Sequence, residues 1–494
     1  MAEEAHGKSV LDSLFDTLAS GAQKGIDSLM PHDDHGHGGH AHAPKGWRAW
    51  FSVLAWWEWA GDKGISRGTF LTANFLGGML ACTMLVPQFP ALVFGWILLA
   101  GPILLPAGLA YGFWGAWNWY VRSYFIFMNT KPVLLEVKMP TEVTKSPRAM
   151  ELALTGLWFR LSTTTVIDKK WKGGTMPYYS FELVSDGGQV HFYVWLQRDY
   201  LRNVFETNMY AQYPEVEIVE VSDYAVDFHF DDDKHNAFVG DYMLESHDIS
   251  RHDPRVNAYP IKTYVDFELD KDPKEELKVE PMAQVLEVLS SLQQGEQAWV
   301  QIVIKAHPGD GWKKLVEKEI QDLRKKASLN PGRSLDDHDD EDKYGFPRPT
   351  WAQQELMRSM ERNLSKLAYD TGVRMVFIGP KDNFRGPTAT AVRWIWRPYA
   401  NPNWGVMLRP RNAHNDFDWP WQDYHDHRHY HEIHRYLDAY RRRQMWNPPW
   451  EDVRNIMSVE VLATMWHPPS RTIRAPGLQR IPSSKSEPPA NLPM

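Results

Sequence analysis

The stretch YYSFELVSDGGQVHFYVWL, residues 178–196, decides the fold. Apolar and polar side chains alternate on both sides of Ser185-Asp186-Gly187-Gly188, and an aspartate followed by two glycines is the chemistry of a tight turn. The pattern predicts a hairpin with strands over 178–184 and 190–196. Upstream, residues 133–139 (VLLEVKM) read as a strand and 147–160 as a helix. Downstream, residues 198–210 read as a helix and 216–221 (VEIVEV) as a strand. The order strand-helix-strand-strand-helix-strand is that of a ferredoxin-like α+β subdomain.

The same order repeats further along. Residues 261–267 read as a strand, 281–292 as a helix and 297–305 (QAWVQIVIK) as a strand. Residues 373–378 then read as a strand, 388–396 as a helix and 456–461 as the closing strand. One insertion, 308–370, carries two predicted helices (312–327 and 351–369) and the acidic loop SLDDHDDEDK. A second insertion covers 401–450. The predicted fold class is therefore α+β with tandem ferredoxin-like subdomains, 129–255 and 256–470, and an extended Pro-rich tail at 471–494.

The N-terminal part has a different character. From Gly68 to Val121 there is no Asp, Glu, Lys or Arg. The Pro87 to Pro90 break divides this stretch into two apolar spans, 69–86 and 91–117, each near the ~20 residues that cross a bilayer. Trp114, Trp117, Trp119 and Tyr120 mark the exit as an aromatic belt does. Lys45, Arg48, Lys63 and Arg67 precede the spans, and Arg122, Lys131 and Lys138 follow them. The turn between carries no positive charge, so a two-span transmembrane hairpin with both termini in the cytoplasm is expected, at the cytoplasmic (inner) membrane. Residues 47–128 form this membrane segment, including an amphipathic stretch with Trp47, Trp50, Phe51, Leu54 and Trp57. Residues 1–46 read as a flexible leader with a second amphipathic stretch (Val10, Leu11, Leu14, Phe15, Leu18) and a His-rich linker.

Composition bounds the function. With 54 Lys plus Arg against 62 Asp plus Glu, the net charge of −8 excludes a general polyanion binder. The single cysteine, Cys82, excludes an internal disulfide and a multi-Cys zinc site. There is no P-loop, no G-x-S-x-G elbow and no H-E-x-x-H, hence no recognisable motor or hydrolase machinery. The 20 histidines concentrate in two clusters. His32, His35, His37, His40 and His42 sit in a Gly-rich linker that cannot hold a fixed ligand geometry. His427, His431 and His434 fall at i, i+4 and i+7 on one helix face, where three imidazoles could ligate zinc, although Arg428 and Arg435 oppose a cation. An exposed mixed-charge helix surface is the favoured reading of that cluster. Arg441 to Arg443 read as a solvated helix end, suited to the helix dipole.

Several stretches carry a resemblance together: PVLLEVKMPTEVTKSPRAMELALTGL (132–157), SFELVSDGGQVHFYV (180–194), RNVFETNMYAQYPEVEIVEVSDY (202–224), YPIKTYVDFE (259–268), GEQAWVQIVIK (295–305), VEVLATMWHPP (459–469) and EPPANLP (487–493). Over residues 132–494 the chain resembles a membrane-associated family of unknown function. That family is similar to the N-terminal, non-motor region of HerA/FtsK-like or type IV secretion coupling-protein ATPases. In fused relatives, segments matching Leu462, Ala463, Thr464, His467 and Pro468, then Pro488, Pro489, Asn491, Leu492 and Pro493, lead into the motor. The resemblance implies a non-catalytic anchor and docking subunit of a DNA-transfer or secretion machinery, oligomeric, serving a separate ATPase. Leu462, Trp466, His467, Pro468, Asn491 and Leu492 are its expected partner-docking residues, with no cofactor required. The alternative from a different class is a His-rich, metal-responsive membrane protein using zinc at His427, His431 and His434. Direct nucleic-acid contact is left open by both.

Overall fold

In the computed structural model the described residues are 67–124 and 131–481, apart from 142, 144, 160–164, 173, 247–248, 250–252, 271–278, 329–344, 403–404, 413–422, 448–449, 452–454 and 474. The leader with its His-rich linker, the amphipathic stretches, the acidic loop, Asn491 and Leu492 lie outside them. The chain divides into two compact units, residues 1–92 with 417–422 and residues 93–416 with 423–494.

The charge-free stretch is helical. Helix α1 spans Arg67–Leu85, and after a turn at Pro87 and Gln88 helix α2 spans Phe89–Tyr124, running through Pro102 and Pro106. No single described helix is long and apolar enough to cross a membrane; Thr72–Leu85 and Phe89–Pro102 reach that length and composition only together, as a pair bent by 119° at the break between them. Along both helices large apolar side chains stand open, among them Phe75 at 67% exposure, Met84 at 78% and Tyr111 at 84%. Only toward the end of α2 does the surface close, where Val121 is buried.

The second unit is a mixed α+β structure with a large antiparallel sheet. Strand β1 (Val133–Pro140) leads to α3 (Arg148–Gly156), the short helix α4 (Val166–Lys170), and the hairpin β2 (Tyr179–Asp186) and β3 (Gln189–Leu196). Helix α5 (Leu201–Gln212), strand β4 (Glu217–Val221) and the short helix α6 (Tyr224–Asp227) follow. The hairpin turn is as the sequence indicates: Gly187 and Gly188 take φ of 55° and 88°, the consecutive positive values of a type I′ turn. β1 pairs antiparallel with both β3 and β4, giving the order β4-β1-β3-β2.

The second half comprises β5 (His235–Glu245), α7 (Met282–Ser290), β6 (Gln297–Ala306), α8 (Gly311–Ser328), α9 (Trp351–Leu364), β7 (Ala368–Pro380), α10 (Gly386–Arg393) and β8 (Met407–Asn412). Its order is β6-β7-β5-β8. The two halves join where β2 pairs with β6 over eight residues, Tyr179 opposite Ile304 through Asp186 opposite Gln297. Helix α11 (His427–Arg441), the small ribbon β9 (Trp446–Asn447) with β10 (Trp450–Glu451), strand β11 (Asn455–Ser458) and helix α12 (Val459–Met465) complete it, with β12 (Arg480–Ile481) laid parallel on β1. Among the described residues ten strands form the main sheet.

Two expected strands of the second half are corrected. Residues 261–267 form successive turns rather than a strand, and the half begins earlier, at β5, so the expected boundary at 255/256 falls after its first strand. Residues 456–461 are not one closing strand. Ser458 accepts a hydrogen bond from the Val461 amide (3.4 Å) and starts α12, overriding the β-branched Val459 and Val461. The strand that completes the half is β8, inside the second insertion. The insertion helices α8 and α9 form close to where the sequence predicts them.

Both faces of the sheet are covered. Phe181, Leu183, Phe192, Val300, Ile302, Val373 and Met375 pack with side chains of α3, α5, α7, α10 and α12 on one face. Val184, Val239, Trp299, Val376 and Ile378 pack with Ile433, Leu437 and Tyr440 of α11 on the other.

Candidate functional site

The segment that opens α12 brings three of the quoted stretches together. Thr263 Oγ1 donates to Glu460 Oε1 (2.6 Å), and the Tyr264 amide donates to Thr464 Oγ1 (3.0 Å). Tyr264 OH donates to Glu151 Oε2 (2.7 Å), linking α3 to the same network. Arg362 donates to both Glu460 and Asp266 at 2.8 Å. Burial holds the Glu460 carboxyl above its usual range despite the hydrogen bonds from Thr263 and Arg362. These side-chain bonds add to the backbone bonds of the turns, in which the Asp266 and Phe267 amides donate to the Thr263 carbonyl and the Leu269 amide to that of Tyr264.

One turn further on lie the expected docking residues. Leu462, Trp466, His467 and Pro468 are all buried. The Trp466 ring meets Phe181 and Phe192 edge-on, at centroid distances of 5.0 and 5.6 Å. In the chain by itself these four residues build an interior.

His467 points toward α7. Its Nδ1 donates to the Ala463 carbonyl (2.8 Å), and its Nε2 lies 2.7 Å from Glu280 Oε1. Glu280 lines a cleft of about 730 Å³ at the start of α7, together with Phe267, Gln284, Glu287, Pro398 and Ile473. Burial raises the proton affinity of Glu280, but the hydrogen bond and charge of His467, and the Ser470 hydroxyl and amide, outweigh it and hold the carboxyl below its usual range. Glu280 is thus held in its charged form beside His467, at the wall of the cleft. The cleft offers apolar walls and acidic groups for binding. Glu280 had no sequence signal, because its partner is 187 residues away.

On the opposite face a polar row crosses the sheet. Register sets Glu136 opposite Tyr193, Tyr193 opposite Glu182, Glu182 opposite Gln301, Gln301 opposite Arg374, Arg374 opposite Asp241 and Asp241 opposite Arg411. Directly opposed residues share a face, so the row runs through the seam between the halves. Arg374 is fully buried and bidentate on Asp241 (2.6 and 3.0 Å). Arg443, expected at a solvated helix end, is also fully buried. It binds Glu182 through Nε (3.0 Å) and Nη2 (3.2 Å), and pairs with Asp223. Tyr224 OH donates to Glu182 Oε2 and Ser180 Oγ to Oε1, both at 2.7 Å. Burial pushes the Glu182 carboxyl up, but the Arg443 charge and these hydrogen bonds bring it below the usual range. The Arg374–Asp241 and Arg443–Glu182 pairs thus lie buried within this row.

Helix α11 carries His427, His431 and His434 outward, and all three are exposed. Asp423 caps it by accepting from the Arg428 and His429 amides (2.7 and 2.8 Å). His434 Nε2 lies 2.7 Å from Asp232 Oδ1. Among the described residues no three His, Cys, Asp or Glu side chains are grouped to hold a metal ion.

Fold and site define a class: an α+β protein with one large, mainly antiparallel sheet, an internal charge network, and a pair of apolar helices ahead of it. Residues 131–480 match a family described as a domain of unknown function (DUF8128), and the chain belongs to that family. No curated protein matches the chain.

Proposed function

We propose that the chain is a membrane-attached, non-catalytic docking subunit, serving a separate ATPase of the HerA/FtsK class in DNA transfer or secretion. The observation that carries the reading is the open apolar surface of α1 and α2, which water would leave unsatisfied and lipid would cover. α1 and α2 are the membrane segment, and the flanking charges favour both termini in the cytoplasm. The rest is a cytoplasmic platform of two ferredoxin-like subdomains. The orders β4-β1-β3-β2 and β8-β5-β7-β6, each with helix after the first strand and after the third, support that description. The family resemblance supports an oligomer and an ATPase partner. The cleft framed by Glu280 and Ile473 is the recess that receives the partner.

The experiment is purification from native membranes in mild detergent. The reading predicts an oligomer carrying an ATP-hydrolysing partner with a P-loop, and loss of that partner when Ala283→Trp fills the cleft. A monomer bringing no ATPase contradicts it.

A further inference from the structure

The short helix α4 and the residues after it read Val166-Ile167-Asp168-Lys169-Lys170-Trp171-Lys172. Thr165 caps the helix by accepting from the Asp168 amide (3.1 Å), and Asp168 pairs with Lys172 (3.0 Å). This folded turn nevertheless leaves Val166 72%, Ile167 60% and Trp171 53% exposed. Three large apolar side chains within six residues stand in solvent, in a sequence that also holds Asp168, Lys169 and Lys170 and is followed by Lys172. The Trp171 ring is held 5.6 Å from Trp114 and 5.7 Å from Trp117, edge-on and tilted, at the aromatic end of α2. The exposed patch is thus continuous with the aromatic belt of the long apolar helix.

We infer that Val166, Ile167 and Trp171 form a second membrane contact, seated at the headgroup level of an anionic bilayer beside the exit of α2. Apolar side chains with a tryptophan, flanked in sequence by lysines that an anionic surface attracts, are the interfacial pattern. The contact rests on the membrane attachment proposed above, and it would fix the sheet's orientation to the bilayer by adding a second point to the α2 tether.

The test uses the full chain with Cys82→Ala and a single nitroxide label at Ile167→Cys or, separately, at Tyr111→Cys. The protein is reconstituted in the assembly state in which it purifies, in nanodiscs of mixed phosphatidylcholine and phosphatidylglycerol. Collision of the label with oxygen and with a water-soluble nickel chelate is then measured. The expected result is oxygen access exceeding nickel access at both positions, with position 167 shallower than 111. Lys170→Glu with Lys172→Glu should raise nickel access at 167 several-fold. Lipid-like values at 111 with water-like values at 167 overturn this inference alone. Water-like values at both overturn the membrane reading as well. A label at 167 shielded from both reagents indicates protein contact, and overturns the lipid contact.

Discussion

Arg443 sits in the left-handed region (φ 48°) with its guanidinium fully enclosed by Glu182 and Asp223. Removing one partner strands the other charge in a dry interior, so Arg443→Met should cost about 3–5 kcal/mol in denaturant unfolding. Combining it with Glu182→Gln should cost less than the two single changes summed, because the buried Glu182 charge is then not left without its arginine. Glu280 gives a pH signature. Its folded proton affinity is depressed below the ordinary 4.5, so its contribution is fully present above that pH and is lost as pH falls through the lower folded value. Glu280→Gln should therefore flatten the stability profile on the acid side of the ordinary carboxylate value of 4.5, while lowering neutral-pH stability by about 1.5–3 kcal/mol. Unfolding at a series of pH values checks both. None of these pairs was legible beforehand. Arg443 meets Glu182 across 261 residues, and three consecutive arginines after an amphipathic helix look like any solvated end. The His427, His431 and His434 face was legible, because helical periodicity alone places those side chains outward.

Elements were legible where their signal was local. The hairpin at 179–196 is one: Gly188 at φ 88° has the Ser290 and Leu292 carbonyls where a Cβ would sit, at 2.9 and 2.8 Å. Gly188→Ala should thus destabilise by more than about 1 kcal/mol, through both backbone strain and collision, and lower the thermal midpoint. β5 was missed because Gly240 and Asp241 interrupt its apolar run, Asp241 being the partner of buried Arg374. The 456–461 segment misled because two valines mimic a strand, while the capping Ser458 and the burial of every residue of α12 decide for a helix. Trp466 anchors that helix end against Phe181 and Phe192, so Trp466→Ala should cost about 3–5 kcal/mol in the same unfolding assay.

At the scale of the whole molecule, the pairing of β2 with β6 fuses two similar halves into one sheet. Both strands read as ordinary buried strands, and nothing in either one names the other as its neighbour. The separation between an apolar N-terminal segment and a charged body was plain from the 68–121 stretch alone. What the structure adds is that large apolar side chains of α1 and α2, among them Phe75, Met84 and Tyr111, stand exposed, the surface that the membrane attachment proposed above would cover. Extraction of native membranes with alkaline carbonate, without detergent, tests this most directly. The account predicts that the full chain stays with the lipid pellet and is released only by detergent. Recovery of the chain in the aqueous supernatant would contradict it.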